Sequence, residues 1–147
     1  MAFFKGQETY SIDSKGRVNI PAKMRKAMEP EANDTFTVTR GVDKCIVAYP
    51  KDEWKKYEES FQKLNQYDDK NRFFLRVILP WSEEVSLDGQ QRIMVPRELL
   101  EFSGINGKVK IVGMIDHIEF WDPSEWDQYM SGYDGRYEDV AKAVMVK

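Results

Sequence analysis

The chain has 147 residues, 41 % hydrophobic and 13 % aromatic, enough for a packed interior in one ordinary domain or two small ones sharing a core. That composition excludes a disordered chain, and no apolar run approaches the roughly 18 residues of a membrane helix. The net charge is −3, which excludes a histone-like polycation but not a local basic face.

Lys5 and Glu8 interrupt the start of the chain before a secretory h-region could form. Cys45 is the single cysteine, so no internal disulfide is possible and a reducing cytoplasm is the expected setting. Charge is laid out unevenly. Lys5, Lys15, Arg17, Lys23, Arg25 and Lys26 outnumber Glu8 and Asp13 at the front, leaving a basic head on an acidic body.

Along the chain, the first predicted element is a β-hairpin. Tyr10 and Ile12 alternate with polar residues before Asp13–Gly16, as Val18 and Ile20 do after it. Asp13 can accept from the backbone N–H groups that follow, and Gly16 takes positive φ at low cost. Pro21 suits the first turn of a short helix with Met24, Ala27 and Met28 on its buried stripe. After a Glu29–Asp34 loop come strands at Thr35–Thr39 and Cys45–Tyr49. A long helix with Trp54, Tyr57, Phe61 and Leu64 on one face follows. The Asp68–Pro80 stretch is too apolar for a free linker, and is expected to be a helix that buries Phe73 and Val77.

The second half repeats this order. Asp13-Ser14-Lys15-Gly16-Arg17 through Pro21 returns as Asp88-Gly89-Gln90-Gln91-Arg92 through Pro96, and Gly41 through Glu53-Trp54 returns as Gly113 through Glu125-Trp126. Val85, Leu87, Ile93 and Val95 supply the second hairpin. Because Gln91 replaces the glycine of the first turn, the second turn is expected to differ in shape. Leu99 and Phe102 face inward on the next helix, with Gly104 as its C-cap. Strands at Val109–Gly113 and Ile118–Trp121 precede a helix capped by Asp122-Pro123-Ser124-Glu125. A ββαββα unit occurring twice is therefore expected, in the α+β class. Residues 1–67 form the first unit, 68–80 a connecting helix, 81–130 the second unit and 131–147 a loosely patterned tail.

These blocks resemble the MraZ family of bacterial transcription regulators, a branch of the AbrB-like swapped-hairpin DNA binders. The resemblance rests on both Asp-x-x-x-Arg motifs, Ile20-Pro21-Ala22-Lys23, Thr39-Arg40-Gly41, Tyr49-Pro50 with Glu53-Trp54, and Val112-Gly113. It runs from Phe4-Lys5-Gly6 to about Tyr129. It implies a swapped-hairpin β-barrel with flanking helices, assembled into a ring-shaped homo-oligomer. It also implies a cytoplasmic, nucleoid-associated protein without a cofactor or membrane attachment. The implied partner is double-stranded DNA, bound at short direct repeats upstream of the division and cell-wall gene cluster, usually to repress it. The family's motif arginine and preceding basic residue fall on Arg17 and Lys15. In the second copy Arg92 matches, but Gln90 stands where Lys15 does.

The candidate DNA contacts are accordingly Lys15, Arg17, Lys5, Lys23 and Arg25, with Asp13, Gly16, Asp88 and Arg92 in motif or structural roles. Arg17 can grip phosphate or a base edge, or close its turn on Asp13. For Arg92 a structural or subunit contact is expected. Aligned on the prolines, Lys23 and Lys26 become Glu98 and Glu101, so only the first copy is expected to offer a basic face. His117 aligns with Cys45 and reads as a strand-end structural residue rather than a metal ligand. Gly104–Lys108 lacks the spacing of a phosphate loop. An enzyme is disfavoured by the lack of a paired nucleophile or a metal cluster in the sequence. A protein-binding module, such as an antidote-like partner of another protein, remains the alternative.

Overall fold

Alternation along the strands sorts their side chains onto two faces, and this decides the layers. The computed structural model describes residues 1–146. Strand β1 (Gln7–Ser11) leads through the Asp13–Gly16 turn into β2 (Arg17–Asn19) and α1 (Ala22–Ala27). A 3₁₀ turn at Pro30–Ala32 precedes β3 (Thr35–Arg40), β4 (Ile46–Pro50), α2 (Lys51–Gln62) and α3 (Asp69–Trp81). The same order then recurs: β5 (Glu83–Ser86), β6 (Arg92–Met94), α4 (Arg97–Ser103), β7 (Lys108–Met114), β8 (His117–Trp121) and α5 (Pro123–Ser131). Helix α6 (Tyr137–Met145) ends the chain's described elements.

Six strands form one antiparallel sheet in the order β1-β7-β8-β4-β3-β5, and β2 and β6 form a separate two-stranded ribbon. Phe36 and Val38, Ile46 and Ala48, Val109 and Ile111, and Ile118 and Phe120 point to one side of the sheet. There they meet Val18, Ile20, Ile93 and Val95 from the ribbon, with Met24 of α1 and Leu99 of α4. The opposite side carries Cys45, Val47, Val112 and Trp121 in a smaller cluster with Tyr49 and Trp126. Burial pushes the Cys45 thiol well above its usual range, so it serves as a small core group.

Four expectations are corrected here. The two arms of the expected hairpin do not pair with each other. Tyr10 on β1 lies opposite Val109 of β7, whereas Val18 on β2 lies opposite Ile93 of β6. In the other half Val85 likewise lies opposite Phe36. The Asp13–Gly16 turn is thus a corner between two sheets. No closed barrel forms among the described residues either. Strands β1 and β5 sit at opposite edges of the large sheet, and the three-residue β2 and β6 spend their ladder on each other.

Third, the connecting helix forms, but Phe73 is 71 % exposed. Its inward residues are Phe74, whose ring lies 5.5 Å from Phe61, and Ile78, whose carbonyl accepts from Thr39 Oγ1. Val77 is half-buried as expected, and only Phe73 gives way, to Phe74, which is itself 44 % exposed. Asp68 caps this helix by accepting from the Lys70 and Asn71 N–H groups. Fourth, Pro21 and Pro96 occupy the N-cap rather than the first helical position, with φ of −53° and −57°. The Asp122 cap and the left-handed Gly104 C-cap stand as expected, and the tail's marginal pattern forms α6.

Candidate nucleic-acid interface

The ribbon has one dry face and one wet one. Val18 and Ile93 pair at its centre and are each only 1 % exposed. The flanking pairs, Arg17 opposite Met94 and Asn19 opposite Arg92, therefore share the outward face. Arg17 and Arg92 become diagonal neighbours, about 7–8 Å apart by strand geometry. The structure thus brings both motif arginines onto one surface.

Each arginine is presented by the same turn. Asp13 Oδ1 accepts from the backbone N–H groups of Lys15 (3.0 Å) and Arg17 (2.9 Å), and its Oδ2 accepts from Arg17 Nε at 2.6 Å. Asp88 repeats this with Gln90 (2.8 Å), Arg92 N–H (3.0 Å) and Arg92 Nε (3.1 Å). The expected difference in turn shape does not occur, because Gln91 adopts the left-handed conformation of Gly16, with φ 64° against 84°. The three bonds to the Asp88 carboxylate hold the turn together, and they outweigh the left-handed cost at Gln91. In both turns the N–H of the arginine, aided by the following bonds, holds the aspartate carboxyl below its usual range. An ionised aspartate then fixes the direction of an arginine whose other guanidinium nitrogens are left for a phosphate or a base edge.

The remaining candidates scatter. Lys15 is exposed at the turn and Lys23 is exposed on α1. Arg25 is partly buried, and its Nε donates to the Ile20 carbonyl at 3.0 Å, so it ties α1 to the end of β2. Lys5 lies beyond the far end of β1, whose five residues separate it from the turn by about 17 Å. It does not belong to the same patch.

Nor is the basic head set apart from an acidic body. Val95 N–H donates to the Gly16 carbonyl (2.8 Å) and Ile20 N–H to the Gln91 carbonyl (3.1 Å). Each turn therefore abuts the strand end, and so the helix start, of the other half. The Lys15 turn adjoins α4 with Glu98 and Glu101, while the Gln90 turn adjoins the start of α1 with Lys23 and Lys26. Sequence reasoning missed Asn19 and Met94 as members of this face. The signal was the alternation about Val18 and Ile93, which sends their neighbours outward.

On the far side of the sheet, His117 Nδ1 lies 2.8 Å from Asp116, its ring stacks on Tyr49 at 4.6 Å, and Glu119 stands 3.8 Å from Nε2. Tyr57 of α2 donates to Asp116 at 2.6 Å, and Trp121 donates to Glu119 at 2.9 Å. Burial disfavours the imidazolium, but Glu119 and Asp116 outweigh it and raise the His117 pKa. This network fastens α2 to the β7–β8 turn. Among the described residues no His, Cys, Asp or Glu group is arranged to hold a metal, and no helix is long and apolar enough to cross a membrane.

The family model described as "MraZ protein, putative antitoxin-like" matches residues 3–77 and 81–143. The chain is 37 % identical over 142 residues to the transcriptional regulator MraZ of Natranaerobius thermophilus, covering 97 % of this chain and 96 % of that one. It is 36 % identical to the protein of the same name from Halothermothrix orenii, covering 96 % of each. Against that of Acetivibrio thermocellus the identity is 34 %, over 95 % of this chain and 94 % of the relative. With both motif turns in place and matches over nearly its full length, the chain belongs to the MraZ family.

Proposed function

We propose that this protein is a sequence-specific DNA-binding transcription regulator, working in the cytoplasm on nucleoid DNA and without catalysis. The observation that carries it is the isolated β2–β6 ribbon, whose outward face presents Arg17 and Arg92 on matching aspartate-braced turns, with Lys15 beside the first. A two-stranded ribbon fits the major groove, and arginine matches phosphate and guanine edges. The names of the relatives support regulation of transcription. The family resemblance adds repression at the division and cell-wall gene cluster.

The two ββαββα halves, 1–67 and 81–130, are read as duplicated units that exchange their first strands. Lys15, Arg17 and Arg92 are the principal contacts, Lys23 contributes from α1, and Asp13, Asp88 and Gly16 shape the turns. Self-assembly is supported by apolar surface on non-equivalent elements. Phe73 and Leu79 are exposed on α3, and a cleft of about 670 Å³ between α5 and α6 is lined by Tyr129, Met130, Tyr133 and Tyr137. Unlike patches that fit each other generate head-to-tail contacts, which close into rings. Such a ring presents successive ribbons in one sense and suits direct repeats spaced near one turn of about 10 bp.

The same exposed surface favours a second reading, docking of another protein, in line with the antitoxin-like description of the family. Gel shifts on the DNA upstream of the gene separate the two. Specific binding should fall steeply with salt, collapse when roughly 5 bp are inserted between boxes, and partly return with a full turn. Absence of specific binding at any salt would leave the protein-docking reading in its place.

A further inference from the structure

We infer that Asn19 and Met94 read base edges at the centre of the ribbon, and that the difference between them gives the DNA box its direction. This rests on the DNA-binding reading above. The outward face is nearly two-fold about the Val18–Ile93 pair: the operation that exchanges Arg17 with Arg92 also exchanges Asn19 with Met94. At the arginines the two halves agree in residue, turn and aspartate partner. At the inner position they do not.

Asn19 is exposed, and its Nδ2 donates to the Gln90 carbonyl at 3.0 Å. One N–H of that amide is thereby spent on holding it still. The other N–H and the carbonyl oxygen stay free, the donor–acceptor pair that matches adenine N6 and N7. Met94 is 54 % exposed, an unbranched apolar side chain on an otherwise polar face. It offers no hydrogen bond of consequence, and suits an apolar neighbour such as a thymine methyl. Both stand on paired strands whose other face is locked in the core, so their positions are fixed relative to the arginines.

Identical residues at 19 and 94 would present the same group to both halves of a site and select an inverted pair of bases. An amide opposite a thioether selects a different base in each half. The box then has no internal dyad, and the exposed tips, Lys15 in one turn and Gln90 in the other, reinforce the same polarity. A box with direction is what repetition in a single sense requires.

Selection from a randomised duplex library tests this, using the full-length wild type, Met94→Asn, and the exchange Asn19→Met with Met94→Asn. The wild type should select an asymmetric box. Met94→Asn should make its two inner positions self-complementary, and the exchange should invert them relative to the flanks. Asn19→Ala should lose roughly ten-fold in discrimination at one position while keeping low-salt affinity, which phosphate contacts supply. Variants that bind DNA yet select the wild-type box unchanged would overturn the inference. So would an Asn19→Ala protein that melts normally but binds no DNA, which would make Asn19 a scaffold for the Gln90 turn. Failure of the wild type itself to select any sequence would instead overturn the DNA-binding reading.

Discussion

The α-carbon of Gly16 rests against the carbonyl of Val95, so closely that a Cβ would stand 2.5 Å from that oxygen. Gly16 also has φ +84°, and its own carbonyl accepts from Val95 N–H, so this one residue seats the first turn on the second half of the chain. Gly16→Ala combines a left-handed cost of about 1–2 kcal/mol with displacement of the ribbon, and should lose at least that much stability in urea unfolding. Gln91 holds the same conformation without being glycine. Gln91→Gly should therefore gain up to about 1 kcal/mol. Equal effects of the same sign at both sites would contradict this account of the turns.

Arg17 and Arg92 differ less than their sequence surroundings imply. Arg17→Ala and Arg92→Ala should each weaken DNA binding and lower the log–log salt slope by about 1, with the larger affinity loss at Arg17, which has Lys15 beside it. Both proteins should elute at the wild-type size. A change of elution volume in Arg92→Ala with unaltered DNA affinity would return that residue to the subunit-contact role first expected of it.

The His117 network makes stability depend on pH in a definite sense. The folded pKa of His117 is raised above 6.5, so its contribution is fully present below that value and lost as pH rises through the folded pKa. Asp116 and Glu119 are depressed despite burial, by bonds from His117, Tyr57 and Trp121, and stay ionised across that window. Tyr49 and Tyr57, the other groups facing the ring, are raised and stay neutral there. His117→Gln should therefore be more destabilising at pH 6 than at pH 9. Parallel stability curves for the variant and the wild type would show the imidazole to be neutral throughout.

Phe73 is exposed in the single chain, so Phe73→Asp should change the stability of the subunit by no more than about 0.5 kcal/mol. If α3 is an assembly surface, the same change should lower the mass in light scattering. Specific DNA affinity should drop by roughly 10² to 10⁴ as linked heads are lost. An intact assembly with Phe73→Asp would move the contact elsewhere.

The parts legible in sequence were those set by local chemistry. The Asp-x-x-x-Arg spacing showed a turn closed by its own carboxylate, and the capping residues at Asp122 and Gly104 marked helix ends. Period-two alternation at Tyr10, Ile12, Val18 and Ile20 told which side of each strand is dry. It carried no information on which strand lies alongside, and so a paired hairpin was expected where a corner exists. On α3 the expected Phe73 proved outward because Phe73 and Phe74 are both apolar, and only the contact with Phe61 selects Phe74. Lys5 stands apart from Lys15 in space for a related reason, since nearness along the chain ignores the length of β1. Gln91 was misjudged because propensity alone disfavours its conformation, whereas the carboxylate of Asp88 outweighs that preference.

The pairing of β1 with β7 and of β5 with β3 also governs how the chain comes to be folded at all. With β1 bonded to β7, β5 to β3 and β2 to β6, neither half possesses a complete set of neighbours for its own strands. A polypeptide carrying one half alone would have to find the missing strands on a second molecule, at a rate set by concentration. Covalent linkage through α3 replaces that encounter with closure of a loop, whose entropic cost grows only slowly with length. A cut in the 62–69 connection should accordingly leave two fragments that stay together, refold only when mixed, and lose the ribbon when separated.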